Sequence, residues 1–520
     1  MKKLLPIWWF LLAAPAWSAP TLVQHISGPG QEGHATTIKQ YNLQLPNVVG
    51  AHNAVIVGIS ESGAAPATPS AVTDDKTNSY GAAQLTIAGA NNKLFIYALC
   101  DITNGPRIIE VQYAASEAQP HRTVVVSEYY NVATSTCVDA TKGNAPGTVS
   151  NTLDTGVFTT ATSGDLIWSF GIVDDMGFAA SRDTELEGWA QQGSYSALSN
   201  DVMQYATVNA FVASGTSPCS PTACNVSTYT NCTNPGCATE AWIVATIALK
   251  PATAGTAPTP GAIHVDRAYH TNVKVGWGST TAIFGIPRGA ANLIIGMGAG
   301  EPINGKWNSV SDGVNSWAPT PITFDNGGQV YSDLDYAVAP TSGDSAKATI
   351  TYAGNITGGE PVMFLMVSNS STTPFEQHIT CNGNDTGGSF EVTVTCNNSI
   401  TPGGTNQLLV GIGATNNNGE GETPVRAAAG QPFVLIVADS CSPIAGANCN
   451  TSPEIATSPI DENDLAAVGY LTNTNTITPA WIINNDTTPG TGQWTAIWAL
   501  FEPSPPTAGG RLRTLLGVGR

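Results

Sequence analysis

Carboxylate pairs are the side chains in this sequence best suited to acid–base chemistry. They are Asp74-Asp75, Asp174-Asp175, Glu185 with Glu187, and Asp461-Glu462 with Asp464. An extracellular glycoside hydrolase would need two such groups facing each other across a cleft. Asp side chains also stabilise turns by accepting hydrogen bonds from nearby amides, and we interpret Asp74 in this structural way. Glu128 differs because it lies inside a predicted strand, where a half-buried carboxylate is a candidate site.

Nucleophilic catalysis has little support in the sequence. The G-x-S-x-G motif is absent, because Gly58-Ile59-Ser60-Glu61-Ser62 departs from it at the last position. None of the seven histidines forms H-E-x-x-H or H-x-H, spacings that hold a metal on a helix or a strand. These patterns favour a non-catalytic protein. They leave open a triad assembled from distant loops, because triads are defined in space and not along the chain.

A calcium ion is a possible cofactor suggested by an acidic cluster in the sequence. Asp461, Glu462 and Asp464 form a dense oxygen cluster in a loop that also contains Pro and Asn, and calcium binds six to eight oxygen ligands. The spacing of an EF-hand loop is missing. A solvated acidic loop is the competing interpretation of the same residues.

Tryptophans outside the predicted strands are the candidate ligand-binding residues. Trp189, Trp277 between two glycines, and Trp307 beside Lys306 lie in loop-like contexts, where an exposed ring would stack on a sugar. The competing interpretation is that they fix loops onto the fold. Trp168, Trp242 and Trp494 lie in apolar runs and are predicted to be buried.

The chain has ten cysteines, which would form five disulfides in an exported protein. Cys100 and Cys137 are predicted to pair, Cys381 and Cys396 to staple a hairpin, and Cys441 and Cys449 to close one loop. Local pairing is favoured for the remaining four, Cys219 with Cys224 and Cys232 with Cys237. Their C-x4-C-x7-C-x4-C spacing leaves zinc open as an alternative, although the tight C-x2-C knuckle of many zinc sites is absent.

The N-terminus and the charge predict an extracellular protein. Residues 1–18 combine Lys2 and Lys3, an apolar run and small residues before Ala19, as in a signal peptide. No later run is long and apolar enough to span a membrane, so the mature chain is predicted to have no membrane span. The net charge of −19 argues against nucleic acid as a partner, because phosphate binding needs clustered Lys and Arg.

The elements that would position these residues are β-strands, and they occur twice. The stretch Val55–Gly58 corresponds to Leu293–Gly296. The stretch Val72–Tyr80 corresponds to Val310–Trp317. Leu166 to Gly171 corresponds to Leu408 to Gly413, and Trp242 to Trp494. Short runs rich in branched and aromatic residues lie between turn residues throughout. Runs without alternation, such as 55–57 and 362–367, are predicted to be central strands buried on both sides.

These patterns predict an all-β protein of two tandem antiparallel β-sandwich domains that arose by internal duplication. The domains are residues 19–250 and 263–503, separated by a Pro- and Ala-rich linker at 251–262 and followed by a flexible tail at 504–520. Jelly-roll and immunoglobulin-like topologies both fit the strand pattern.

Several short stretches resemble a secreted bacterial β-sandwich module that is common in large extracellular proteins and is mostly uncharacterised. They are Leu22 to His25, Val72 to Tyr80, Ser127 to Val132 and Ser163 to Trp168. The resemblance covers roughly 20–251 well and 262–503 less well, where Met366 to Asn369 replaces the Glu-Tyr-Tyr stretch. It implies a sandwich fold and a secreted setting, and it implies no catalytic residues.

Together these features predict a secreted, non-catalytic structural or adhesive protein of the cell surface or extracellular matrix. Its expected partners are an extracellular glycan or protein, or further copies of itself. Two other functions remain open: an extracellular carbohydrate-binding or carbohydrate-active protein, and a subunit of an extracellular filament.

Overall fold

The computed structural model describes residues 19–27, 40–62, 66–89, 92–113, 121–145, 152–162, 164–173, 193–196, 202–205, 210–211, 219–220, 223–229, 242–273, 281–285, 291–300, 306–318, 320–327, 330–338, 347–354, 360–384, 391–416, 423–437, 463–484 and 493–505. Every regular element in these ranges is a β-strand, so the protein is all-β, with multiple antiparallel sheets. No helix in the described ranges is long and apolar enough to cross a membrane.

The strands fall into four blocks along the chain. Block 1 (residues 21–130) contains β1 (Thr21–Ser27), β2 (Gln40–Gln44), β3 (Asn53–Ser62), β4 (Ala71–Asp74), β5 (Leu85–Ala88), β6 (Asn92–Ile102), β7 (Ile108–Gln112) and β8 (His121–Tyr130). Block 2 (residues 138–249) contains β9 (Val138–Asn144), β10 (Thr152–Phe158), β11 (Leu166–Val173), β12 (Gly193–Ser196), β13 (Val202–Tyr205), β14 (Ala210–Phe211), β15 (Cys219–Ser220), β16 (Ala223–Tyr229) and β17 (Trp242–Leu249).

The second half of the chain continues in the same way. Block 3 (residues 264–368) contains β18 (His264–Val273), β19 (Thr281–Gly285), β20 (Leu293–Gly300), β21 (Trp307–Ser311), β22 (Ser316–Trp317), β23 (Ile322–Asp325), β24 (Tyr331–Val338), β25 (Lys347–Tyr352) and β26 (Glu360–Ser368). Block 4 (residues 370–503) contains β27 (Ser370–Asn384), β28 (Glu391–Thr395), β29 (Gln407–Asn416), β30 (Thr423–Ala427), β31 (Phe433–Val437), β32 (Asn463–Leu471), β33 (Ala480–Asn484) and β34 (Gln493–Pro503).

One order of strand pairing recurs in all four blocks. In each block the first strand pairs with the last, and the last pairs with the third: β1-β8-β3, β9-β17-β11, β18-β26-β20 and β27-β34-β29. The second strand pairs with the next-to-last strand in a separate three-stranded sheet, as in β2-β7-β4 and β28-β33-β30. Residues that match between the two halves of the sequence lie on strands with the same place in this order: Val55 and Leu293 on β3 and β20, Leu166 and Leu408 on β11 and β29.

A parallel strand pair joins the two halves. The first strands of blocks 1 and 3, β1 and β18, run parallel with His25 opposite Arg267 and Ile26 opposite Ala268. This pair merges the large sheets of blocks 1 and 3 into a single 11-stranded sheet. The two halves of the chain therefore share backbone hydrogen bonds as well as side-chain contacts.

Apolar residues form buried clusters on both faces of the large sheets. On one face of block 1, Ile56 and Ile96 pack with Trp168 and Ile243 of block 2. The largest cluster runs through blocks 1, 3 and 4 and includes Val57, Leu293, Leu365, Val410 and Ala499. Further clusters fill the interiors of block 3 and block 4. Because both faces of β3 and β26 are covered, their sequences carry the unbroken apolar runs that predicted central strands.

Glycines in the central strands let tryptophan rings approach the backbone. A Cβ added at Gly411 of β29 would lie 2.5 Å from Cζ3 of Trp498, on the neighbouring strand β34. Trp498 is fully buried and packs against Phe433 with ring centroids 4.4 Å apart. The indole ring therefore occupies the space that a side chain on Gly411 would need.

Replacing Gly411 with alanine is expected to destabilise block 4 by about 1–3 kcal/mol, because the added methyl group forces the buried Trp498 to move. Gly404→Ala is the matched control. Its Cβ would meet nothing closer than Gln407 Nε2 at 3.6 Å, and the loss of unfolded-chain entropy makes this change neutral or slightly stabilising. Thermal unfolding of the two variants measures the difference, and equal melting temperatures would contradict the packing described for Trp498.

Two disulfides connect separate sheets. Cys100 of β6 pairs with Cys137, which precedes β9, so this bridge links block 1 to block 2. Cys381 of β27 pairs with Cys396, which follows β28. The pairing of Cys381 with Cys396 was predicted correctly, but the predicted hairpin is wrong: β27 and β28 belong to different sheets, and each pairs with another strand. Cys219 and Cys224 are opposite residues on β15 and β16, whereas Cys232, Cys237, Cys441 and Cys449 lie outside the described residues.

The stretch at 251–262, predicted as a linker, follows the surface of block 1 in an irregular conformation. The Asn131 backbone N–H donates to the Ala254 carbonyl at 2.7 Å, and the Ala252 N–H donates to the Asn131 carbonyl at 2.8 Å. Asn131 has a positive φ of 61°, a conformation that Asn tolerates better than most residues. The segment is thus held by backbone hydrogen bonds to the end of β8.

Candidate functional site

Glu128 of β8 is a buried carboxylate surrounded by hydrogen-bond donors. Its Oε2 accepts from Gln24 Nε2 at 2.6 Å, and its Oε1 accepts from the Gly50 backbone N–H at 2.7 Å and from Asn53 Nδ2. The residue is fully shielded from solvent. Burial raises the pKa of Glu128, and the hydrogen bonds from Asn53, Gln24 and Gly50 oppose that rise.

The partners of Glu128 reach across the junction between the two halves. Asn53 donates from Nδ2 to the Thr256 carbonyl at 3.0 Å and accepts from the Thr256 N–H at 2.6 Å, so it holds the 251–262 segment. Gln24 is bonded to Asn47, and Asn47 Nδ2 donates to the Val265 carbonyl of β18 at 3.0 Å. The three donors to Glu128 are all groups that position the chain, so we interpret this site as structural.

His25 lies in the strand that joins the halves. Its Nδ1 is 2.8 Å from Ser127 Oγ, which also accepts from Trp168 Nε1 at 3.2 Å. Burial, assisted by the charge of Arg267, lowers the pKa of His25 to about 3. The imidazole is therefore neutral at physiological pH, and its contacts connect β1 to block 2 through Trp168.

Two pairs of aspartates are buried away from this junction. In block 2, burial raises the pKa of Asp165 to about 8, assisted by its hydrogen bond to Asp139 and by the negative charge of Asp139. Burial alone would raise the pKa of Asp139, but hydrogen bonds from Asp165, Thr162 and Ala161 bring it below its ordinary value. In block 3, burial raises the pKa of Asp333 and of Asp335 on β24 to about 7.

The Asp139–Asp165 pair predicts a dependence of stability on pH. The pKa of Asp165 is about 8 in the folded state and about 3.9 in an unfolded chain, so the folded protein binds the proton more tightly. Its contribution to stability is complete below about pH 4 and is lost as the pH rises through about 8. Each unit of pKa difference corresponds to about 1.4 kcal/mol.

Asp165→Asn is expected to remove part of this dependence, because the amide can still donate to Asp139 but cannot ionise. At about pH 9 the variant should melt at a higher temperature than the wild type, and at about pH 4 the two should agree. The exposed Asp101→Asn variant, which disrupts only the surface contact with His52, is the control. A variant that is destabilised equally at both pH values would show that Asp165 is ionised in the folded protein.

A polar pocket of about 310 Å³ opens in block 4. It lies between the turn at 430–432, before β31, and the segment at 470–478, at the end of β32. Its wall combines apolar Pro432, Leu471 and Ile477 and aromatic Tyr470 with the neutral polar residues Gln431, Thr472, Asn473, Asn475, Thr476 and Thr478. No residue of the wall is an acid or a base of the Asp, Glu, Lys, Arg or His type.

The position of this pocket is set by hydrogen bonds. The Val265 N–H of β18 donates to the Tyr470 hydroxyl at 3.0 Å, which ties the pocket to the junction between the halves. A bridge between Ile400 and Ile477 aligns the 470–478 segment, and hydroxyl pairs at Thr401–Thr476 and Ser399–Thr478 flank it. Thr and Asn alternate from 472 to 476 in the sequence, but such residues are common throughout the chain and do not by themselves identify this surface.

None of the described residues predicted as sites from the sequence lines this pocket. Trp307 is 4% exposed, and its ring fills the space beside Gly298 in the interior of block 3, so its position gives no support to a role as a sugar platform. Trp189, Trp277, Asp461 and Glu462 lie outside the described residues, and Asp464 belongs to β32, opposite Ala414. Among the described residues, no group of three or more His, Cys, Asp or Glu side chains could hold a metal ion.

The structural interpretation of Asp74 is confirmed. Its Oδ1 accepts hydrogen bonds from the backbone N–H groups of Lys76 and Asn78 at 3.0 and 3.1 Å. Asp312 does the same in block 3, where its Oδ1 accepts from the N–H groups of Val314 and Asn315. Both carboxylates therefore close turns rather than line a cleft.

Comparisons with known proteins add no family. No protein-family model matches the chain, and no curated protein matches it. A Faustovirus major capsid protein is one solved structure in the comparison, at 8% sequence identity, covering 96% of this chain and 93% of that chain with a TM-score of 0.10. A similarity at this level carries no argument about fold or function, so the functional conclusion depends on the residues themselves.

Proposed function

We propose that the chain is a secreted, non-catalytic structural or adhesive protein of the cell surface or extracellular matrix. One observation carries this proposal: Glu128, Asp74 and Asp312, three of the carboxylates best placed for chemistry, hold the chain together. Glu128 accepts from side-chain and backbone amides, and Asp74 and Asp312 close turns. The pocket in block 4 contains no carboxylate or imidazole for acid–base catalysis. Binding is the activity that such a surface supports.

We further propose that each of the four blocks is a jelly roll, and that residues 19–250 and 263–503 are duplicated pairs of them. The pairing of the first strand with the last, and of the second with the next-to-last, is the order expected of a chain wound as a jelly roll. In this proposal the signal peptide is residues 1–18, the connection is 251–262 and the tail is 504–520. The two disulfides fit an oxidising, extracellular setting.

The proposal is tested with purified mature protein and with exporting cells. Fractionation of cells that express the full chain should place it in the medium or on the outer surface, lacking residues 1–18 by N-terminal sequencing. Incubation with panels of esters, peptides and oligosaccharides should give no turnover. Retention of the protein in the cytoplasm, or turnover of any substrate class that persists after repurification, would overturn the proposal.

A further inference from the structure

We propose that the pocket at residues 430–432 and 470–478 binds a neutral saccharide. The inference rests on the proposed adhesive function, for which it names a class of ligand. At about 310 Å³, the pocket lies at the lower end of the range for small-molecule sites, a size that suits a mono- or disaccharide unit of a longer glycan.

The chemistry of the wall selects a neutral polyhydroxylated ligand. Its amide and hydroxyl side chains both donate and accept hydrogen bonds, which matches the paired donor and acceptor character of sugar hydroxyls. The wall has no charged side chain to neutralise a carboxylate, sulfate or phosphate. The net charge of the chain, −19, further disfavours an anionic ligand.

The pocket also offers an apolar surface for the C–H face of a sugar ring. Tyr470 is partly exposed there while its hydroxyl is held by the Val265 N–H, so the ring is fixed before a ligand arrives. The exposed Pro432 extends this apolar surface, whereas Leu471 and Ile477 are buried in the core of block 4. An aromatic ring combined with neighbouring polar groups is the arrangement by which proteins bind ligands that are apolar on one face and polar at the rim.

Polar groups at the pocket retain capacity for a ligand. Gln431 uses its Nε2 to donate to the Thr478 carbonyl at 3.1 Å, which holds the turn at 430–432 against the segment at 470–478. Within the part of the chain that the structure describes, the only contact shown for Asn475 is through its backbone N–H, which donates to Asn473 Oδ1 at 3.0 Å. The exposed side-chain amide of Asn475 is thus available to a sugar hydroxyl.

The test uses the mature full chain and neutral oligosaccharides. Cello-, xylo-, manno- and maltohexaose are titrated by calorimetry, beside an acidic oligogalacturonide and a neutral peptide of similar length. We expect at least one neutral hexaose to bind. Asn475→Ala should weaken that binding about tenfold, the effect of losing one or two hydrogen bonds, without changing the melting temperature.

Thr474→Ala is the matched control, because Thr474 is exposed in the same segment but does not line the pocket; its affinity should equal that of the wild type. A second variant, Gln431→Ala, should weaken binding in the same direction as Asn475→Ala. The proposal is overturned if none of the neutral hexaoses binds, if the acidic saccharide or the peptide binds in their place, or if Asn475→Ala and Gln431→Ala bind as the wild type does. Those results would leave the adhesive function standing, since adhesion of the whole protein is measured separately.

Discussion

Replacing Glu128 with alanine is expected to destabilise the protein by about 3–5 kcal/mol. The change removes the acceptor of Gln24 Nε2, Asn53 Nδ2 and the Gly50 N–H, and leaves these donors in a buried site without a partner. A buried donor without a partner costs roughly 1–3 kcal/mol. Because Asn53 also holds Thr256, the loss should loosen the 251–262 segment as well as β8.

The measurement is thermal unfolding together with limited proteolysis. Glu128→Ala should melt well below the wild type, and protease should cut first at 251–262. Glu110→Ala is the control: Glu110 is partly exposed on β7 and accepts from Thr73 Oγ1 at 3.0 Å, so its loss should cost about 1 kcal/mol or less. Equal stability of the two variants would mean that Glu128 does not organise the junction.

Removing the Cys100–Cys137 disulfide is expected to destabilise the first half by about 3–4 kcal/mol. The bridge closes a loop with a sequence separation of 37, and in the chain-entropy model a 15-residue loop contributes about 3 kcal/mol and longer loops somewhat more. Because the bridge also connects block 1 to block 2, its loss should separate the unfolding of these blocks. Calorimetry of the Cys100→Ala/Cys137→Ala variant measures both effects.

The Cys381→Ala/Cys396→Ala variant is the comparison within the same chain. It removes a bridge with a separation of 15 inside block 4, and its effect of about 3 kcal/mol should fall on the transition of the second half. Mass spectrometry of the wild type should find all four of these thiols oxidised. Free thiols at Cys100 and Cys137, or a double variant as stable as the wild type, would contradict the role assigned to this bridge.

The strands themselves could be predicted from the sequence because their signals are local. The unbroken apolar runs at 55–57 and 362–367, predicted as central strands, lie in β3 and β26, and both runs are buried. Turn formation by Asp74 was also predicted, and the matching residue Asp312 closes a turn in the same way. Each depends on residues that are only a few positions apart.

The assembly of the strands could not be predicted in the same way. The pairing of β1 with β18 joins residues more than two hundred positions apart, and neither strand has a local pattern that identifies its partner. The order of strands within each block likewise depends on which edges meet in space. Glu128 stood out as a carboxylate within a strand, but its donors come from β1, β3 and the loop between β2 and β3, so its structural role required the fold.

The candidate site was missed because neutral polar residues carry a weak sequence signal. Trp307 and Asp464 were predicted as site residues because tryptophans and acidic clusters carry clear sequence signals. The pocket instead consists of Thr, Asn and Gln side chains around Tyr470. Such residues are abundant throughout the chain. The polar residues of the pocket wall differ from the others only because the fold brings them together between two segments of block 4.

Adhesion under flow tests the proposed function most directly. The mature chain is displayed on a bacterium that does not adhere by itself, and cell retention under shear is measured on surfaces coated with extracellular polysaccharide or matrix protein. The account predicts that displayed wild-type protein retains more cells than an unrelated displayed domain of similar size on at least one of these surfaces. Equal retention on every surface would contradict an adhesive function.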